Sequence, residues 1–222
     1  MTQLGLYART LAYLRPLQVA YFFQRRILPQ VRSVAKAANV RRRSGVSILP
    51  GISVSNPTAD DSQLCFLRQS KCIPLRNVDW VCKDMPKLWR YNLHYFDYLH
   101  DPQRSYENKC FLMSDWIQRN PPGTEDAWEP YTVSLRIVNW IKWFLLPERG
   151  SLEEPRERHP QQAWAESLYQ QVQWLEHNIE YHLLANHYLK NGVALLFAGL
   201  YFQGTDAERW LQKGLRILQD EL

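Results

Sequence analysis

Apolar residues spaced at the period of an α-helix dominate the chain from residue 87 onward. Between residues 161 and 184 they recur at steps of three and four, at Leu168, Val172, Leu175, Ile179 and Leu183, which predicts one buried helix face. Similar patterns predict helices over residues 87–100, 104–119, 130–146, 161–184, 187–202 and 206–222. Because short polar loops join these segments, we expect an all-α fold of stacked antiparallel helical hairpins.

The chain divides into three predicted parts with different charge. Residues 1–50, a basic N-terminal helical arm and linker, contain nine Lys and Arg and no Asp or Glu. Residues 51–86 carry short β-like runs and predict a small irregular or hairpin element, and residues 87–222 form the helical part. The arm is interpreted as a solvated basic face or an orientation signal, or as a surface that contacts anionic polysaccharide or, weakly through residues 1–43, a membrane.

Several classes of protein and site are disfavoured by the sequence. The four cysteines form no CxxC pair and lack zinc spacing, so we expect reduced thiols, with disulfides left open, and neither a metal nor a cofactor. They are Cys65, Cys72, Cys82 and Cys110. No apolar run reaches 18 residues, which predicts no transmembrane helix, and Arg9 and Arg15 interrupt the apolar N-terminus, which does not resemble a signal peptide. The localisation is left open, and no nucleic-acid partner is expected.

The first segment that differs from a plain packing helix is residues 88–99, LWRYNLHYFDYL. Helical spacing places Tyr91, Tyr95 and Tyr98 on one face. Arg90 and His94 share a neighbouring face with Asp97. A helix that serves only to pack would use more aliphatic residues, so this segment is a candidate binding surface.

The second segment is residues 128–140, WEPYTVSLRIVNW, in which Pro130 suits the first turn of a helix. The spacing predicts a core stripe and a separate face that combines a cation, an amide and flat rings, as a charged sugar would require. The predicted core residues are Leu135, Val138, Ile141 and Leu145, and the other face holds Arg136, Asn139, Trp140 and Trp143. An arginine stacked on tryptophan for purely structural reasons is an equal alternative.

The third segment, residues 182–192, concentrates polar and ionisable side chains in an otherwise apolar run. His182, Asn186 and Lys190 step by four along one predicted helix face, with His187 and Asn191 beside them. Such a density is more typical of a site than of a core. Metal binding is disfavoured because no His pair stands at i, i+4 and no carboxylate completes a ligand set.

Together these segments resemble the N-terminal toroid of the heparinase II/III family of polysaccharide lyases. The similar pieces are KLWRYNLHYFDYL (87–99), DWIQRNPP (115–122), WEPYTVSLRIVNWIKWFL (128–145) and NIEYHLLANHYLKNGVALLFAGLYF (178–202), with ARTLAYLRPLQVAY in the basic arm. The resemblance covers most of the chain. It implies an incomplete (α/α) toroid that precedes a β-sandwich domain.

The resemblance also implies an activity and the residues that serve it. The family cleaves uronic-acid polysaccharides, such as heparan sulfate, other glycosaminoglycans or alginate, by β-elimination. An Asn-His pair of the family, matched here by Asn186 and His187, neutralises the uronate carboxylate, and a Tyr acts as general base or acid. Substrate contacts are expected from His94, Tyr95, Trp128, Tyr131, Arg136 and Trp140.

The sequence departs from the family in one respect. The catalytic Tyr motif and the β-sandwich follow the Asn-His pair in the family, and no Tyr in residues 188–222 has the matching context. We therefore expect this chain by itself to bind acidic polysaccharide without measurable lyase activity. The alternative is a non-catalytic, acidic-glycan-binding or membrane-surface-associated helical module.

Overall fold

A small β-hairpin precedes six α-helices in the part of the chain that the computed structural model describes, namely residues 20, 21, 23, 34, 40–48, 63–72, 77–146, 162–183 and 185–221. The hairpin strands are β1 (Gln63–Phe66) and β2 (Gln69–Cys72). The helices are α1 (Lys87–Tyr95), α2 (Tyr106–Arg119), α3 (Pro130–Leu145), α4 (Gln162–His177), α5 (Ala185–Tyr201) and α6 (Thr205–Glu221). The prediction of a mostly helical chain is confirmed.

The hairpin lies in the region where β-like runs predict it, and it packs on α1. Its strands are antiparallel, with Gln63 opposite Cys72 and Phe66 opposite Gln69. The Phe66 ring meets the Trp89 ring edge-on at 5.1 Å, and the Trp89 indole N–H donates to the Gln69 carbonyl at 2.9 Å. The hairpin therefore shares a core with the helices. Cys65, Cys82 and Cys110 are free thiols.

The helix predicted over residues 87–100 is interrupted at Phe96. This residue has a left-handed backbone (φ 61°), which ends α1, and a short 3-10 helix follows at Asp97–His100. The Phe96 side chain is fully buried, with its ring 5.5 Å from that of Trp140 and 5.9 Å from that of Trp116. Burial of this ring among other aromatics compensates for a conformation that non-glycine residues rarely adopt.

The predicted core face of α3 is right at Ile141 and wrong at its other three residues. Val133, Ile137 and Ile141 are fully buried, but so are Arg136, Trp140 and Trp143, which were assigned to a separate face. Leu135, Val138 and Leu145 are only half-buried. The large indole rings have the most apolar surface to remove from water, so they occupy the interior and displace the smaller aliphatic residues towards its edge.

The helix predicted over residues 161–184 ends seven residues early, at His177. Asn178 stops it, because its backbone N–H donates to the Leu175 carbonyl at 2.9 Å and its side-chain amide donates to the Trp174 carbonyl at 2.8 Å. A turn follows, and α5 begins at Ala185. Leu183, the last residue of the predicted stripe, is consequently 46% exposed.

Helices α5 and α6 pack with their backbones in direct contact. A Cβ atom added at Gly199 would lie 2.6 Å from the Leu211 nitrogen, and one at Gly214 would lie 2.7 Å from the Leu196 nitrogen. Only glycine permits this approach. Because residues 202–204 alone join the two helices, they form one tight helical hairpin.

Part of the basic arm is attached to the end of α5. Residues 41–43 run antiparallel to residues 201–203, with Arg43 N–H donating to the Tyr201 carbonyl at 2.7 Å and Gln203 N–H to the Arg41 carbonyl at 3.0 Å. This pairing is an isolated bridge outside β1 and β2, which both lie within the predicted residues 51–86. Most of the arm, and residues 49–62 and 73–76, lie outside the described residues. No helix in the described part of the chain has the length and apolarity needed to cross a bilayer.

Candidate functional site

The Asn-His pair lies in the first turn of α5. Ala185 opens the helix with a positive φ of 47°, Asn186 is exposed and His187 is half-buried. The first turn of a helix carries a partial positive charge, because its N–H groups have no partner within the helix. The pair therefore lies at a position that favours an anion.

Two aromatic residues from other helices complete what we call the Asn186 cluster, which consists of Asn186, His187, Tyr131 and Tyr95. The Asn186 side-chain amide donates to the Tyr131 hydroxyl at 3.2 Å. The Tyr131 ring lies 4.5 Å from the His187 ring and 6.2 Å from the Tyr95 ring. Burial raises the pKa of Tyr95, so its hydroxyl stays neutral at physiological pH. The cluster combines an amide, an imidazole and two phenol rings from α1, α3 and α5.

A buried polar network lies beneath the cluster. The Glu180 carboxylate, whose side chain is 5% exposed, is 3.2 Å from Nδ1 of His187. Asn191 is fully buried; its amide donates to the Ser134 hydroxyl at 2.9 Å and to Glu180 at 3.4 Å. The network thus links α3, α5 and the turn between α4 and α5.

His94 lies in the interior, although the resemblance implies that it lines a cleft. The side chain is almost fully buried, and its Nδ1 accepts a hydrogen bond from the Trp116 indole at 3.1 Å. Burial, and next the charge of Arg136, lower the pKa of His94 to about 3. The ring is therefore neutral at physiological pH and acts as a structural acceptor.

Arg136 is also a core residue. Its guanidinium stacks on Trp116, 4.0 Å from the ring centroid. It donates to the Gln171 side-chain oxygen at 2.8 Å and to the backbone carbonyls of Ala127 and His94 at 2.8 and 3.2 Å. Of the two interpretations that the sequence leaves open for Arg136, these contacts favour the structural one.

Trp128 and Trp140 complete the set of predicted substrate-contacting residues that lie in the core. Trp128 is 4% exposed and donates to the Asn120 carbonyl at 2.9 Å, and Trp140 is fully buried. The structure thus brings Asn186, His187, Tyr131 and Tyr95 together. It places His94, Arg136, Trp128 and Trp140 below them, where they hold the helices in position.

The predicted face of His182, Asn186 and Lys190 is wrong at one end. His182 precedes α5 and lies in the turn before it, so it is outside the helical period of the other two. Among the described residues, no group of three or more His, Cys, Asp or Glu side chains could hold a metal ion.

Sequence analysis missed two supporting residues of the site, Glu180 and Ser134. Glu180 precedes His187 by seven residues, and its role depends on a turn that replaces the predicted continuation of α4. Ser134 lies on α3, far from Asn191 along the chain. The one available signal is an acidic residue, Glu180, just before the polar segment of residues 182–192.

Comparisons with protein-family models, with curated proteins and with solved structures found no match.

Proposed function

We propose that the Asn186 cluster binds the carboxylate of a uronic acid residue in an acidic polysaccharide, and that the helical hairpins belong to the incomplete (α/α) toroid of a protein related to heparinase II/III-type lyases. The observation that supports the proposal best is the arrangement at the start of α5. There the Asn186 amide and the His187 ring lie beside the Tyr131 hydroxyl, at the positive end of a 17-residue helix.

The chemistry of this cluster suits the first requirement of β-elimination. The C5 proton of a uronate is too weakly acidic for a side-chain base while the adjacent carboxylate carries its full charge. Hydrogen-bond donors aimed at that carboxylate stabilise the enolate that develops when the proton leaves. Asn186 supplies such a donor, His187 supplies a second one when Nε2 carries a proton, and the half-buried ring of Tyr131 offers a flat surface on which a pyranose stacks.

The packing of the helices is consistent with a toroid of hairpins. In such a fold, consecutive antiparallel helices lie side by side and the loops at one end surround a cleft. Helices α5 and α6 form one hairpin through backbone contact, and α3 packs on both α4 and α5. The start of α3, with Tyr131, and the start of α5, with Asn186, lie at the same end of the bundle.

A binding measurement tests the proposal. Calorimetric titration with oligosaccharides of heparan sulfate, alginate and hyaluronan is expected to detect binding of at least one, and the carboxyl-reduced form of that sugar is expected to bind more weakly. Because a hydrogen bond to a charged group contributes about 1.5–3 kcal/mol, Asn186→Ala is expected to weaken binding by roughly tenfold to a hundredfold. The matched variant Asn108→Ala, on α2 and outside the cluster, is expected to bind normally. Equal affinity of all three proteins for the sugar would contradict the proposal.

A lyase assay separates catalysis from binding. The family's general base belongs to a motif that no Tyr in residues 188–222 matches, so we expect this polypeptide to bind without forming the 4,5-unsaturated uronide that absorbs in the ultraviolet. Product formation that is lost in both Asn186→Ala and Tyr131→Phe would instead identify Tyr131 as the base, because its hydroxyl is the one in contact with Asn186.

A further inference from the structure

The candidate site contains a buried carboxylate that the proposed function does not use. Glu180 lies in the turn between α4 and α5, and the residue is 4% exposed. Its Oε1 is 3.2 Å from Nδ1 of His187. A buried carboxylate is costly unless hydrogen bonds or an opposite charge compensate for its lost hydration, so its partners are informative.

Glu180 is held in a fixed position relative to the two helices that carry the cluster. Its backbone N–H donates to the Asn191 side-chain oxygen at 2.8 Å, and the Asn191 amide donates to the other carboxylate oxygen at 3.4 Å. The same amide donates to the Ser134 hydroxyl, which in turn donates to the Pro130 carbonyl, one residue before Tyr131. The carboxylate is thus tied to α3 and α5 together.

With Glu180 ionised, this geometry determines which nitrogen of a neutral His187 ring carries the proton. An ionised carboxylate can only accept hydrogen bonds, so Nδ1 must be the donor. The neutral ring then has a bare Nε2, which accepts hydrogen bonds and repels a carboxylate. Among the described residues, no group hydrogen-bonds to Nε2. His187 can therefore donate to an anionic ligand through Nε2 only after the ring gains a second proton.

We propose that Glu180 is the positioning residue of the candidate site: it fixes the Nδ1–H form of His187, and a ligand carboxylate is therefore bound together with a proton on Nε2. The proton comes from solvent, and the imidazolium then lies between two carboxylates. Among the described residues, Glu180 from the turn contacts Nδ1 and Tyr131 from α3 packs against the ring, while Asn186 is the preceding residue of α5. The assignment of the ring proton to Nδ1 is independent of the proposed function. The coupling of glycan binding to proton uptake rests on the proposed function.

Nuclear magnetic resonance of the free protein tests the ring without any ligand. In ¹⁵N-labelled protein, at a pH high enough to make the ring neutral, the His187 signals are expected to show a protonated Nδ1 and an unprotonated Nε2. The loss of these signals in His187→Gln assigns them. A neutral wild-type ring with its proton on Nε2 would overturn the proposal, and this result needs no variant of Glu180.

Variants of Glu180 test whether this carboxylate is what holds the proton of His187 on Nδ1. Glu180→Met keeps the length of the side chain and removes the acceptor, so the proton is expected to move to Nε2. Glu129→Gln removes one charge at the start of α3 without touching the His187 ring, and it is expected to leave the ring signals unchanged. If folded Glu180→Met retained the wild-type signals, another group would be fixing the ring and the proposal would be wrong.

Measurement of proton uptake tests whether glycan binding is coupled to protonation of His187. Titration of the heparan sulfate, alginate and hyaluronan oligosaccharides in two buffers of different ionisation enthalpy, at a pH at which the ring signals show a neutral His187, is expected to show proton uptake in the wild type. Uptake is expected to vanish in Glu180→Met, because the proton of the neutral ring already lies on Nε2 in that variant. Binding without uptake in the wild type would overturn the coupling. Failure of all three sugars to bind would contradict the proposed function, while the ring signals would still decide the role of Glu180.

Discussion

A guanidinium that has no carboxylate partner among the described residues is held mainly by hydrogen bonds to neutral acceptors. Arg136 is fully buried, and burial lowers its pKa well below the usual range. Stacking on Trp116 and three neutral acceptors compensate for part of the water that it loses, while one of its terminal nitrogens has no hydrogen-bond partner among the described residues. The Arg136 side chain thus joins α1, α3 and α4 at one point. Its substitution should affect stability more than binding.

We expect Arg136→Met to lower the free energy of unfolding by at least about 3 kcal/mol, because each buried acceptor left without a donor costs about 1–3 kcal/mol. Arg136→Lys should behave more like the Met variant than like the wild type, since an ammonium cannot reach the acceptors that the planar fork reaches. Urea unfolding measures both. The control is Arg119→Met, in which the exposed pair with Asp115 is lost and the cost should stay under about 1 kcal/mol. Equal stability of the Arg136 and Arg119 variants would contradict this account.

The same residue shows how far sequence predicted the site. The unusual mixture of cation, amide and rings on α3 correctly predicted a segment with a special role, which is to connect helices in the core. Periodicity could not distinguish a polar residue that faces a ligand from one that faces buried carbonyls. Asn186 and His187 were predicted because polar residues are dense in residues 182–192 and because the resemblance matches them to the family's Asn-His pair. Glu180 was missed because its contact with His187 depends on the end of α4 and the turn that follows.

At the scale of the secondary-structure elements, α4 and α6 are joined by hydrogen bonds to one carboxylate, that of Glu176. Glu176, whose side chain is 8% exposed, accepts two hydrogen bonds from Arg209 at 2.8 and 2.9 Å and one from the Trp210 indole at 2.8 Å. Burial acts to raise the pKa of Glu176, but the hydrogen bonds from Arg209 and Trp210 outweigh it, so the pKa is lowered. The ionised form is therefore the one that stabilises the fold.

A lowered folded-state pKa fixes the direction of the pH dependence. The stabilisation is present above the unperturbed value of 4.5 and is lost as the pH falls through the lower folded-state pKa. We expect Glu176→Gln to reduce the free energy of unfolding by about 2 kcal/mol at neutral pH and by progressively less below pH 4.5. Urea unfolding at a series of pH values measures the difference. Glu166→Gln, on the same helix in an exposed contact with Gln162, is the control, and a Glu176 effect that grew towards acid pH would show that the sign is wrong.

Helix positions were predictable, but several helix ends were not. The apolar periods locate all six helices of the described residues. The ends at Phe96 and His177 were missed, because aromatic packing around Phe96 and the side-chain amide of Asn178 terminate those helices. Local propensity carries no information on such contacts, which form only when the helices pack.

In the whole molecule, the positive charge of the basic arm can be removed without breaking the main-chain pairing that attaches the arm to the end of α5. Residues 41–43 pair with residues 201–203 through main-chain atoms, and the Arg41 and Arg43 side chains are exposed. Deleting residues 1–50 would remove this pairing along with the charge of nine Lys and Arg. Substitution of side chains alone is therefore the sharper test of whether the arm attracts polyanions.

We expect the double variant Arg41→Gln/Arg43→Gln to elute from a heparin column at lower salt than the wild type, while its thermal stability stays within about 0.5 kcal/mol, as is usual for surface substitutions. Exposed charges act over about 10 Å at 0.1 M salt, so neighbouring arginines of the arm reinforce one another on a polyanion. The matched control, Arg68→Gln/Lys83→Gln, removes two exposed charges near the hairpin and should elute with the wild type. Asn186→Ala, eluted in parallel, measures any contribution of the Asn186 cluster. If both double variants shifted equally, retention would depend on net charge, and the arm would have no specific role in polyanion binding.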